Sequence, residues 1–227
     1  MYKSLIHLLV FSLFISSSHA QFGKLGGLLG GKKDSGGLMS KGDFLNKGGD
    51  LLTRYTAISV SFAEVAEAQA IATGNLAKAE KIRSAINAAN ETPGEKTLNP
   101  LKQYNSDLTK VFENNEKNAV TYSEEGKKAL QKTFPKAALS AAGGALLIKD
   151  SVDWFKEFPD QVKAAGFTGA MKLKKDATGA LFVAKSVATD IPSWLKALKL
   201  GMGYAKKQGV DTSKVEKQSK SLFKDIK

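Results

Sequence analysis

The sequence predicts an all-α protein, a bundle of about six or seven helices, on three observations. From Asp50 onward, apolar residues recur at helical spacing over nearly the whole chain. Pairs such as Gly74-Asn75 and Pro93-Gly94 punctuate those stretches with turn and cap chemistry. Finally, 42% of the residues are hydrophobic, enough for a sizeable core.

Residues 1–20 have the three parts of a signal peptide: Lys3 near the start, an apolar run over residues 5–15 broken by His7 and Ser12, and a polar end. Small residues at Ser18 and Ala20 place cleavage after Ala20. At about 1.5 Å per residue the run reaches roughly 16 Å, against about 30 Å of hydrocarbon. It is too short to anchor. Export to a bacterial periplasm or beyond is expected, because the chain has no cysteine for the disulfides that small eukaryotic secreted domains rely on.

Residues 21–49 read as a glycine-rich flexible tether, since ten of the 21 glycines lie between residues 23 and 49 and each loses much backbone entropy on ordering. Gly26, Gly31 and Lys32 match the start of a phosphate-binding loop. Lys33 stands where a Ser or Thr must hold magnesium, and no strand precedes, so the match fails.

The helical bundle is assigned to residues 50–227. Leu51, Tyr55, Ile58, Phe62, Val65, Gln69 and Ala72 form one stripe; Gly74 ends that helix and Asn75 caps the next. The second helix shows Leu76, Ala79, Ile82, Ile86 and Ala89 on one face. The turn at residues 73–79 resembles that of a tetratricopeptide hairpin, but no second copy follows at a fixed period, so a generic antiparallel hairpin is expected. Asn99-Pro100 reads as the next helix start, with a stripe of Leu101, Tyr104, Leu108, Val111, Asn115, Asn118 and Tyr122 rotating toward solvent at its polar end.

Pro135 is expected to kink or restart the helix that begins at Ser123. Residues 137–148, rich in small side chains, read as the central and most buried helix, continuing through Val152, Phe155 and Phe158 until Pro159 stops it. A helix over residues 170–189 carries Met171, Leu181 and Phe182. The next, over residues 190–207, has Asp190 as its cap and Pro192 in its first turn. Asp211 caps a last, lysine-rich helix with Val215, Leu222 and Phe223.

Composition closes off much chemistry. Both histidines, His7 and His19, lie in the leader, so the mature chain has neither imidazole nor thiol. Ser193–Lys196 and Ser221–Lys224 match a serine–lysine dyad at the frequency chance supplies, without companion elements. Glu64 with Glu67, and Glu113 with Glu116, have the spacing of an ordinary exposed helix face. No cofactor, metal or catalytic activity is expected.

Charge points to the C-terminal half. Residues 127–227 carry 20 basic and 9 acidic side chains, every basic one a lysine, whereas residues 50–126 carry 8 and 11. Lysine acts as a hydrated point charge rather than a bidentate fork, so diffuse attraction to an acidic protein or an anionic lipid surface is expected, and nucleic acid is not. The expected contact is the helix over residues 190–207, through Trp194, Leu195, Lys196, Leu198, Lys199, Met202, Lys206 and Lys207, a basic amphipathic segment with an aromatic near one end. An alternative is a carrier holding an apolar ligand near Trp154, Phe155 and Phe158; a carboxylate-based enzyme stands third. The expectation is an exported, non-catalytic binding or scaffolding protein of the cell envelope.

Overall fold

The computed structural model describes residues 38–219. The expected leader, the tether up to residue 37, and Leu222 and Phe223 lie outside the described residues. Every element described is a helix: α1 (Lys41–Ala72), α2 (Leu76–Glu91), α3 (Glu95–Lys117), α4 (Glu124–Ala142), α5 (Gly144–Ala164), α6 (Gly166–Asp176), α7 (Thr178–Lys207) and the short α8 (Ser213–Ser219). The all-α bundle holds, with seven helices of 11 residues or more and a final one of 7.

Helix α1 starts nine residues before the expected boundary. The Ser40 hydroxyl accepts from the Asp43 amide at 3.2 Å, capping the first turn, and Phe44 and Gly48 are buried. Part of the stretch read as a tether is therefore ordered, because Phe44 has an aromatic partner in Trp154, 110 positions along the chain. The seven residues of the predicted α1 stripe are all buried. At its end Gly74 takes a left-handed φ of 74°, and the Asn75 side chain accepts from the Lys78 amide at 3.1 Å to start α2. Ala79, Ile82, Ile86 and Ala89 of α2 are buried, while Leu76 is exposed.

The central helix is α1, not residues 137–148. It contacts α2, α3, α4, α5 and α7, so buried positions appear around most of its circumference, filled by Ser59, Ser61, Ala63, Ala66, Ala68 and Ala70 beside the large stripe residues. Small side chains let five neighbours approach one axis. The predicted 137–148 helix is interrupted at Gly143, and Leu139 and Leu146 face solvent.

Four prolines sit inside helices rather than at their ends: Pro100 in α3, Pro135 in α4, Pro159 in α5 and Pro192 in α7. Helix α3 starts at Glu95 after Gly94, not at Asn99, and α5 runs past Pro159 to Ala164. Helix α7 is continuous from Thr178 to Lys207, so Asp190 is mid-helix and caps nothing. An internal proline forfeits a hydrogen bond and costs about 3 kcal/mol; around Pro192 the burial of Ile191, Trp194 and Leu195 offsets that cost.

The buried side of α3 is Leu98, Leu101, Asn105, Leu108 and Phe112. Asn118 is exposed at the C-cap and Tyr104 only half-buried, so the stripe rotates to solvent within α3, while its last member, Tyr122, lies beyond the helix and is buried; the buried asparagine is Asn105.

Helix α4 begins with its backbone against the end of α1. Ser123 caps it by accepting from the Gly126 amide at 3.1 Å, and the Ser123 amide donates to the Ala72 carbonyl at 3.0 Å. A Cβ on Gly126 would lie 2.0 Å from Ala72 Cα, a backbone atom that cannot swing aside. Gly126→Ala is expected to destabilise the protein by roughly 3 kcal/mol, read as a lowered urea midpoint at unchanged slope; an unchanged midpoint would show that the two helices can part without cost.

Candidate functional site

The apolar stripe of α7 belongs to the core. Trp194 is fully buried, its ring between Tyr55 and Phe62 at centroid distances of 5.7 and 5.6 Å. Leu195, Leu198 and Met202 are buried beside it. Only Lys196, Lys199, Lys206 and Lys207 of the expected contact residues are exposed. Of these, Lys206 pairs with Glu216 at 2.9 Å and Lys207 pairs with Glu116. This corrects the expected docking face: a stripe at helical spacing fits a core as well as a membrane, and the long α1 supplies the core.

The aromatic group considered as a ligand site is filled by the chain itself. Trp154 is fully buried, stacks on Phe44 at 4.6 Å, and donates from Nε1 to the Phe44 carbonyl at 2.9 Å. Half-buried Phe158 closes the group at 5.8 Å from Trp154, and Phe155 faces outward. Sequence alone separates these residues from Phe44, because Phe44 lies among glycines.

Two buried polar clusters tie helices together. In one, the Tyr55 hydroxyl of α1 donates to Asp190 Oδ2 of α7 at 2.5 Å, and Lys102 of α3 approaches the same oxygen at 3.2 Å while donating to Ser186 at 2.9 Å. Asn105 Nδ2 donates to the Ser59 carbonyl at 2.9 Å, adding a second bond between α3 and α1. Burial, then the hydrogen bond to Asp190 and its charge, raise the Tyr55 pKa far above the usual phenol range. Tyr55 therefore stays protonated and acts as a donor, not as a proton acceptor.

In the other cluster, Tyr122 donates to Gln69 Oε1 at 2.7 Å, and Tyr204 donates to the carbonyls of Val120 at 2.5 Å and Asn115 at 3.0 Å. Burial raises the Tyr122 hydroxyl in the same way. Among the described residues no three acidic side chains converge as a metal would require.

The feature of the basic half that faces solvent is an open groove of about 520 Å³ between α4 and the start of α8, lined by Lys128, Gln131, Lys132, Pro135, Lys136, Asp211 and Lys214. Lys128, Lys132 and Lys136 recur every four residues, which puts their ammonium groups along one side of α4. Lys136 is tied to Glu64 of α1 at 3.3 Å. Lys128, Lys132 and Lys214 join no ion pair among the described residues. The groove's one carboxylate, Asp211, accepts from the Ser213 amide at 3.0 Å, and hydrogen bonding to Ser213 lowers its pKa. The four-residue lysine spacing is readable in sequence; the approach of Lys214 is not.

Removing the Asp190 carboxylate leaves Tyr55 and Lys102 without their shared acceptor, so Asp190→Ala is expected to lose about 3 kcal/mol; a loss under about 1 kcal/mol in chemical denaturation would show the cluster to be incidental. Glu64 behaves oppositely. Burial raises its pKa against the pull of Lys136, so on rising pH the unfolded chain releases this proton first, and the ionised native carboxylate carries a penalty. Glu64→Gln is expected to raise Tm at neutral pH, with the gain vanishing in acid below the ordinary carboxylate range; a lowered Tm at neutral pH would mean that the Lys136 pair outweighs burial. Comparison with known proteins finds no matching family model, no matching curated protein and no matching solved structure.

Proposed function

We propose that the protein is an exported, non-catalytic binding or scaffolding protein of the bacterial cell envelope, whose basic C-terminal half meets an acidic partner. The observation that carries this reading is the α4–α8 groove, where Lys128, Lys132 and Lys214 face solvent without carboxylate partners among the described residues. Like charges held together in one groove repel, and an anionic partner relieves that repulsion. Lysine rather than arginine fits a carboxylate-rich surface met through diffuse attraction. The buried clusters support a non-catalytic role, since Tyr55, Asp190, Lys102, Tyr122 and Tyr204 bond to neighbouring helices. Export rests on the leader sequence.

Poly-L-glutamate serves as the acidic probe in fluorescence anisotropy. Binding is expected to weaken steeply with added salt, and the triple variant Lys128→Gln, Lys132→Gln, Lys214→Gln is expected to bind about tenfold more weakly. An affinity that the triple variant leaves unchanged would overturn the groove as the contact.

A further inference from the structure

The two most exposed large apolar side chains of the described residues lie on α6. Phe167 is 89% exposed and Met171 67% exposed. They stand four residues apart, so on an α-helix they share one side. Lys174, one further turn along, falls on the same side, with Lys175 beside it and Lys172 on the flank. All three lysines are exposed, and none joins an ion pair among the described residues. The single buried residue of α6 is Leu173, on the opposite side, which holds the helix to the bundle. Gly166, with a φ of 65°, turns the chain out of α5, and α6 packs mainly on α5 and α7. Sequence pattern assigns this combination of apolar and basic residues to α7; the structure buries that stripe and leaves α6 outward.

We infer that α6 is a lipid-contact element: Phe167 and Met171 insert at the interface of a bilayer bearing anionic headgroups, while Lys172, Lys174 and Lys175 sit at headgroup level. Charge selects this occupant over others. A second copy would bring the same three lysines against these. Residues 21–37 of this chain carry three lysines and one aspartate, so they too are repelled. An acidic protein would satisfy the lysines, but a side chain as exposed as Phe167 needs a matching pocket on that protein, whereas a bilayer interface accepts it without one. The contact is peripheral, because no helix among the described residues is long and apolar enough to cross a membrane.

This inference rests on the reading of the basic half as an anionic-surface binder, but it concerns a different face, so the two can fail separately. The full chain is tested by sedimentation with vesicles of phosphatidylglycerol and phosphatidylcholine, and with phosphatidylcholine alone. Binding is expected only with phosphatidylglycerol and to fall with salt. Phe167→Ser with Met171→Ser is expected to reduce it about tenfold or more, and Lys172→Gln, Lys174→Gln and Lys175→Gln together to a similar degree. Both native tryptophans are fully buried, so Phe167→Trp adds a distinct reporter whose emission is expected to shift to the blue with anionic vesicles. Unaltered circular dichroism excludes unfolding as the cause.

The inference is overturned if the Phe167 and Met171 serine variant binds vesicles as the parent does, if the emission of the Phe167→Trp variant does not move, or if the exposed pair instead drives self-association that the serine variant abolishes. Loss of vesicle binding in the groove variant with none in the α6 variants would overturn it while leaving the groove reading intact. Retained vesicle binding in the groove variant, with poly-L-glutamate binding lost, would support both.

Discussion

A helix covered on most sides has little solvent face on which to place polar groups, and α1 is such a helix. Five other helices touch it. Its polar side chains must therefore find partners on those neighbours or stay small enough to cost little. Tyr55 and Gln69 take the first course, bonding to Asp190 and Tyr122. Thr56 and Ser61 turn back to carbonyls of their own helix. The same constraint selects Gly126 on α4, where the backbone of a second helix meets Ala72.

How much is legible in the sequence depends on how local the cause is. The α1 stripe, the Gly74 turn and the cap at Asn75 are set within a turn of helix, and each stands where periodicity and side-chain chemistry place it. Pro192 misleads because a proline ends an isolated helix, whereas here the buried Ile191, Trp194 and Leu195 hold the helix through it. Phe44 misleads for a related reason: among glycines it reads as linker, and only Trp154, far along the chain, orders it. Trp194 is buried where its sequence context implies a docking face, and Phe167, to which sequence pattern gives no role, is exposed. Both sit near lysines on amphipathic helices, and which one is covered depends on tertiary contacts that periodicity does not encode.

Charge is divided along the chain rather than by depth. The more acidic residues 50–126 contain most of α1 together with α2 and α3. The lysine-rich half supplies α4 to α8, which carry the groove and α6. Ion pairs across the boundary use few of those lysines: Glu64 takes Lys136, Glu116 takes Lys207 and Glu124 takes Lys127. The remaining positive charge is directed outward, where lysine's solvated ammonium costs nothing to keep and attracts anions over about a Debye length.

The partners of α1 are far from it in chain order. Tyr55 meets Asp190 across 135 positions, and the Phe44 carbonyl meets Trp154 across 110. As the polypeptide grows from its N-terminus, the central helix emerges before the other described helices, and two of its covering surfaces, α5 and α7, emerge late. Until α5 and α7 exist, those faces of α1 have only solvent, a chaperone or a translocation machine to lie against. Late assembly of this kind would suit the export proposed for this chain, which requires passage through a membrane before the bundle is sealed.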